Sequence, residues 1–458
     1  MKNINKLLLI VFIAATFAGC DKKLDIQPKQ SVDATVALTT ADDVESAVVG
    51  IYSIMGGGAL YGTNLFMLAD LQASENYASW RGTFQGSRQV ANKTMTRDNA
   101  EASRTWIAAY RAINMANTVI DALGVVSDAT QKSKLEGEAL FARGALHFEL
   151  VRYYALPWGA TAGNSQLGVV IRTKPTKAET EAFEKQPRNT VAEVYQQVIA
   201  DLTSAAGKLP NDNGTRVDKY TALAFLAKVY LQKGDYANAL NAANQVIQSG
   251  NYRLNASVRA VFDNKNTAES VWEIQQNDQN NAGTSNDGLA TFYASYPGIG
   301  RADIRIASAW VNSYDPSDLR KQEWYYTGTG LRPGNLYTSK WKSFSQNLPV
   351  IRIAEMYLIR AECNLRLGSV TGDTPANDLS KIRNPVRANL PVIAAPTLAQ
   401  VLNERFLELA FEGARIHDLK RLQLPTGTFA WNDPKLVFPI PQREVDASTG
   451  ILIQNPGY

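Results

Sequence analysis

"YTALAFLAKVYLQKGDYANALNAANQVIQSGNY" (residues 220–252) holds two helix-length apolar patterns separated by Gly234 and Asp235. Leu226, Ala227, Tyr230, Gly234, Tyr236 and Ala239 stand where a tetratricopeptide repeat needs large, small, aromatic, turn, aromatic and small residues. The small residues let two antiparallel helices approach closely, and the Gly-Asp pair turns the chain between them. "EMYLIRAECNLRLG" (355–368) repeats the first helix and its glycine, with Ala361 and Gly368 in the matching places, and 131–155 is a looser copy. Units of this kind cannot bury their faces singly, so the pattern predicts helices stacked into one curved solenoid.

Outward from this repeat, helical spacing extends over about 39–55, 99–155, 189–250, 350–368 and 401–422. In "TTADDVESAVVGIYSIM" Thr39 or Thr40 caps an acidic first turn. Two intervening segments, about 56–98 and 253–349, are rich in Gly, Asn, Ser, Tyr and Trp, with strand-like pieces such as "SVWEIQQ". Loops of this length inside a compact chain are functional or form their own subdomain. The predicted fold is therefore mainly α: a tetratricopeptide-like helical superhelix with a loop-rich, minor-β, ligand-binding subdomain inserted between the helical blocks. Residues 39–458 are expected to form a single interleaved body.

The N-terminus carries an address. "MKNINKLLLIVFIAATFAGC" places two lysines before an apolar run that ends in Ala18, Gly19 and Cys20, the layout of a secretory signal over 1–19. Ala-Gly-Cys resembles the lipobox of bacterial lipoproteins, which makes Cys20 the expected lipidation site and 20–38 a polar tether. With Cys20 acylated, Cys363 has no disulfide partner, since the chain has 2 cysteines. The 458-residue chain has 47 Lys and Arg against 43 Asp and Glu, and loss of Lys2 and Lys6 with the signal leaves a net charge of +2. That balance, without a basic run, points away from nucleic acid.

Catalytic and metal chemistry find little support. "NERFLELAFEGARIHDLKRLQL" (403–424) concentrates charge, but Glu404, Glu408 and Glu412 are spaced by four and form one helical stripe. Arg405, Arg415, Lys420 and Arg421 stand ready to pair with it, so the expectation is a structural ion-pair network. His417 and Asp418 are adjacent and diverge on a helix, and His147 reads as a packed histidine. With only 2 histidines so placed, no zinc site is expected. "DQNNAG" (278–283) starts like a calcium loop but would put Leu289 at its twelfth position, where an EF-hand needs Glu. No cofactor is expected, and a looser structural calcium site stays open. "GGGALYG" (56–62) leads to no P-loop lysine and reads as a flexible turn.

Several phrases, taken in order, resemble the SusD-like (RagB/SusD) family of Bacteroidota outer-membrane lipoproteins. "LDIQPKQSV", "EALFARGALHFELVRYYALPWG", "RNTVAEVYQQVIADLTSAAGKLP" and the repeat at 220–252 are similar to the family's N-terminal half. "ESVWEIQ", "DLR" (318–320), "LPVIRIAEMYLIRAECNLRLG", "IRNPVRANLP", "ERFLELAFEGARIHDLKR" and "FPIPQREVDASTGILIQNPGY" resemble its C-terminal half. The resemblance implies a non-enzymatic, cell-surface lipoprotein anchored to the outer membrane. It would sit as a lid on a SusC-like TonB-dependent transporter, its partner, and deliver oligosaccharide, with the tetratricopeptide face toward the barrel. A peptide ligand, or a scaffold lipoprotein without small ligand, stays open.

A sugar ring has an apolar C–H face and polar edges, so a glycan site needs an exposed ring as platform and Asn, Asp or Arg at its rim. "ENYASWRGTFQGSR" (75–88) and "GLATFYASYPGIGRADIR" (288–305) mix these types in loop-like sequence. The expected ligand-binding residues are Trp80, Tyr77, Asn76, Arg81, Tyr293, Tyr296 and Arg301. Trp310 and Tyr314, at i and i+4, read as core.

Overall fold

A computed structural model describes residues 38–177, 181 and 184–458. The predicted signal (1–19), the lipidation site Cys20 and nearly all of the tether lie outside the described residues.

The helical frame comprises α1 (Ala41–Met55), α2 (Ala100–Ala122), α3 (Ala129–Tyr154), α4 (Val191–Lys208), α5 (Lys219–Lys233), α6 (Tyr236–Gln248) and α7 (Ile353–Leu367). Three shorter helices follow: α8 (Pro375–Arg383), α9 (Leu398–Glu408) and α10 (Arg415–Arg421). Each helix from α1 to α7 packs on the next in order, although about 100 residues separate α6 from α7. This is the predicted superhelix, and local chemistry sets its corners. Asp218 caps α5 by accepting from the Thr221 N–H, and Gly234 ends it in the left-handed region at φ 75°. Asp235 then caps α6 at once. At Gly144 of α3 an added Cβ would lie 3.1 Å from both Asp201 and Leu202 of α4, so the missing side chain sets how closely these helices pack.

The loop-rich segments fold against this frame as three two-stranded antiparallel sheets. They pair β1 (Ala78–Trp80) with β3 (Ile304–Ile306), β2 (Ser270–Ile274) with β6 (Leu348–Arg352), and β4 (Tyr325–Thr327) with β5 (Leu336–Thr338). Trp272 of β2 joins the two lobes, meeting Phe141 edge-on at 5.5 Å and Phe225 at 6.2 Å. One hydrophobic core runs through both, so the strands are inserted into the helical body and not appended to it. Short helices at Asn64–Gln72 and Gln85–Asn92, which the sequence reading did not anticipate, also lie in the first loop-rich segment. The turn at 56–62 is tightly packed, contrary to the expected flexible one, because a Cβ on Gly58 would strike the Asp287 carboxylate at 2.0 Å. No helix among the described residues is long and apolar enough to cross a membrane.

The charged stretch at 403–424 departs from the predicted continuous helix. Phe411 at φ 60° and Gly413 at φ 72° break it between α9 and α10. Gly413 passes so close to the chain that a Cβ would lie 2.7 Å from the Leu65 carbonyl, and the Phe411 ring stacks on Tyr77 at 4.2 Å. Contact with a distant segment thus outweighs helix propensity here. The glutamates still form an ion network, but with arginines from elsewhere in the chain. Arg320 reaches Glu404 at 2.6 Å and Glu408 at 2.9 Å, Arg352 reaches Glu408 and Glu412, and Arg387 reaches Glu408 at 2.6 Å. Burial alone would push the Glu408 carboxyl up, yet Arg387, Arg352 and Arg320 hold it well below the ordinary carboxylate range. Such a carboxylate stays ionised and is a poor proton donor. Of the expected local partners, Arg405 and Arg421 both pair with Asp418. Arg415 instead lies over Tyr77 and Trp310, and buried Lys420 donates to the Leu436 carbonyl at 2.7 Å and to no carboxylate among the described residues.

Candidate ligand-binding site

The seven residues expected to bind ligand separate into two groups. Tyr77 and Tyr293 are wholly buried. Tyr77 stacks on Phe411 with an interplanar angle of 7° and meets Trp310 edge-on at 4.8 Å, while the Tyr293 hydroxyl donates to Asp70 at 2.7 Å. Trp80 is also buried, packed against Phe292 at 5.8 Å and Phe84 at 6.5 Å. These three rings have no free face for a sugar, so the expectation that they act as exposed platforms is corrected: they build the core on which the lobe rests. Asn76 is exposed at the far end of β1 in a left-handed turn, φ 54°.

Arg81, Tyr296 and Arg301 all reach the surface, and the β1–β3 pair orients the first of them. In the β1–β3 pair Trp80 lies opposite Ile304, both directed inward, and Ser79 lies opposite Arg305. The Arg81 N–H donates to the Asp303 carbonyl at 2.6 Å and extends the ladder by one step. Side chains alternate along a strand, so Ser79, Arg81 and Arg305 share the outward side, whereas the wholly buried Asp303 carboxyl lies beside the Trp80 ring. Asp303 is covered there by two guanidiniums, Arg301 at 2.9 Å and Arg332 at 3.3 Å. Burial pushes the Asp303 carboxyl up, and Arg301 and Arg332 draw it only part of the way back. Arg301 also lies over the Phe84 ring at 4.6 Å. Gly82 lets the backbone close over this group, since a Cβ would lie 2.5 Å from the Trp80 ring and 2.6 Å from the Asp303 carboxyl carbon.

Beside the arginines stands a tyrosine stack. In the β4–β5 hairpin Tyr326 lies opposite Tyr337 on one side, and Tyr325 on the other side enters the core to meet Tyr314 and Trp310. Tyr296 is half-buried and lies parallel on Tyr326, with centroids 4.4 Å apart and planes 5° apart. The Tyr326 hydroxyl accepts the Ser295 N–H at 2.7 Å, and the Thr329 and Gly330 N–H groups donate to the Ser295 carbonyl. Gly330 is required by this contact: its Cβ would lie 2.3 Å from the Tyr296 carbonyl oxygen. The hairpin therefore supports one face of Tyr296 rigidly. Arg259 and Lys342 share Asp263 nearby, and burial raises the Tyr296 hydroxyl while Tyr326 and Arg259 draw it down.

Sequence reading missed Tyr326, Tyr337, Arg305 and Arg332. "YYTGTGLRPGNLYT" (325–338) carried a signal for the first two, because a Gly- and Pro-Gly-rich turn between aromatic residues marks a hairpin. A cavity of about 380 Å³ elsewhere is lined by Tyr52, Trp272, Gln275, Asn280 and Asn281, with Arg216 and Glu273 also on its wall.

A helical-repeat frame carrying an inserted, non-catalytic binding lobe defines a class of ligand-capturing protein. The chain matches the family model described as "Starch-binding associating with outer membrane" over residues 22–231 and the SusD family model over 318–435. SusD-like protein P2 of Formosa agariphila is 27% identical, with 98% of this chain and 99% of the relative covered. A crystal structure of a SusD superfamily protein from Bacteroides vulgatus is 26% identical with a TM-score of 0.79, covering 92% of this chain and 99% of that one. A laminarin-binding SusD-like protein shares the fold at 22% identity, with a TM-score of 0.75 and coverage of 92% and 100%. The chain belongs to the SusD family, and so is a binding protein and not an enzyme. Family membership associates it with the outer membrane.

Proposed function

We propose that this chain captures oligosaccharides at the cell surface and delivers them to a SusC-like TonB-dependent barrel, anchored in the outer membrane through a lipid on Cys20. Membership of the SusD family supports the role. The names of two relatives in fold, the laminarin-binding SusD-like protein and a surface glycan-binding protein of Bacteroides thetaiotaomicron, support a glycan as the ligand class. The observation that carries the reading is Tyr296, half-buried, backed by Tyr326 and with the Arg259 guanidinium near its hydroxyl. A ring held flat from behind presents an apolar platform without further ordering cost, and a guanidinium at its edge supplies donors to hydroxyls.

A protein that must release what it captures has no use for very tight binding, and a dissociation constant of ~1 µM to 1 mM corresponds to about −8 to −4 kcal/mol. Arrays of glycans and peptides probed with the full mature chain test the ligand class: glycan binding is expected, and binding to peptides alone would overturn it. Co-purification of a TonB-dependent barrel with the wild-type chain tests delivery. A Cys20→Ala chain found in the membrane fraction as fully as the wild type would remove the anchor from the proposal.

A further inference from the structure

A cavity of about 40 Å³ lies where α3, α5 and α7 meet α9 and α10. Tyr61 and Phe66 of the first inserted segment and Arg352 of β6 also line it, so it sits at the seam between frame and lobe. Four carboxylates stand on its wall, and each is already engaged. Glu149 is held by Arg152 and the Tyr61 hydroxyl, and Glu355 by Arg405 at 2.8 Å and Lys228 at 3.5 Å. Asp418 is held by Arg405 and Arg421, and Glu412 by Lys340 and Arg352.

The unpaired polar atoms on this wall are all nitrogens. Arg152 Nε, Arg405 Nη1 and His417 Nε2 are buried without a hydrogen-bond partner among the described residues, and no carboxylate oxygen of the wall is left so. The side chains of Arg152 and Arg405 are 9% and 5% exposed, and His417 is 2% exposed. A buried N–H without an acceptor is costly, more so on a charged group. Lys420 lines an adjoining cleft that shares Arg152, Gln232 and His417, and it too meets no carboxylate among the described residues. Burial, with Arg152, Lys420 and Lys228, holds His417 well below the ordinary imidazole range. The neutral ring donates through Nε2 in one of its tautomers.

We infer that this seam binds a halide ion of the size of chloride, held by the N–H groups of Arg152, Arg405 and His417. A single water occupies roughly 10–15 Å³ of cavity, so the space admits a one-atom anion and excludes a sugar. Water there would bring hydrogens of its own to a wall whose acceptors are engaged, whereas a halide only accepts. Guanidinium donors strengthen its hold. The ion ties α3 to α9 and α10 and so clamps the lobe to the frame. It goes beyond oligosaccharide capture and does not depend on it.

Bromide shares the charge of chloride, is close to it in size and scatters anomalously. Crystals of the full mature chain grown in bromide and measured at the bromine edge are expected to show a peak bounded by Arg152, Arg405 and His417. In solution the melting temperature is expected to rise by about 1–3 °C and then level off as chloride replaces gluconate at fixed ionic strength. Arg152→Lys keeps the charge that Glu149 needs and removes the Nε–H, so it is expected to require roughly tenfold more chloride for the same rise. Bromide at exposed sites only, a wild-type melting temperature indifferent to chloride, or an undiminished chloride response in Arg152→Lys would each overturn the inference. Should that variant not fold, the bromide map and the wild-type titration decide alone.

Discussion

Two arginine clusters in this protein have opposite electrical character. Around Glu408, Arg320, Arg352 and Arg387 meet Asp318, Glu269, Glu404, Glu408 and Glu412, and every one of these side chains is nearly or wholly buried. Around Asp303, two arginines share one buried carboxylate, while Arg81 and Arg305 on the outward side of β1 and β3 are exposed and have no side-chain partner among the described residues. With Lys340 on Glu412 and Arg383 on Glu404, five cations meet these five carboxylates, so the first cluster is balanced in charge within the chain. The second is incomplete within the chain. Charge density alone does not mark a site; what matters is whether the chain itself supplies the counter-charge.

The comparison breaks most readily at its buried end. Glu408→Ala would take from Arg320, Arg352 and Arg387 the carboxylate all three share, and removing one partner of a buried network costs about 3–5 kcal/mol. Denaturant unfolding should therefore show a large loss for Glu408→Ala and none for Arg81→Gln; equal effects would erase the distinction. Next in size is Gly330→Ala, whose new methyl must displace the Tyr296 backbone, at a cost of about 1–3 kcal/mol. Weaker oligosaccharide binding is expected to accompany that loss of stability. Tyr296→Ala removes the platform itself and is expected to weaken binding by about 1–2 kcal/mol, roughly tenfold, with little change in melting temperature. Gln275→Ala in the cavity beside Tyr52 should leave binding unchanged, and the reverse pattern would move the site there.

A separate effect is a slope in pH. Burial, with Arg152 nearby, lowers Lys420 from 10.5 to about 7. Between these values the unfolded chain binds more protons than the folded one, so this lysine makes stability rise as pH rises from about 7 toward 10.5. Lys420→Met should flatten that rise in urea titrations at successive pH values, and an unaltered slope would assign it to another group.

The helical frame was legible because its signals are local. The glycine at 234, the caps at Asp218 and Asp235 and the apolar period of 220–252 act within a few residues of one another. Arg81, Tyr296 and Arg301 were legible as types suited to a sugar. Tyr77, Trp80 and Tyr293 carried the same local appearance, and yet Phe411, Phe292 and Asp70, all distant in sequence, bury them. The break at Phe411 was hidden for the same reason: its cause lies at Leu65, Phe66 and Tyr77.

The sequence by itself therefore determined the repeat, the order of helices and the family, since spacing, capping and turn chemistry are short-range properties of the chain. Which rings face solvent, which arginines lack a carboxylate, and that Arg81 and Arg305 share the outward side of β1 and β3 were decided only by tertiary structure. Exposure and charge balance are sums over neighbours, and here the neighbours come from segments more than two hundred residues apart.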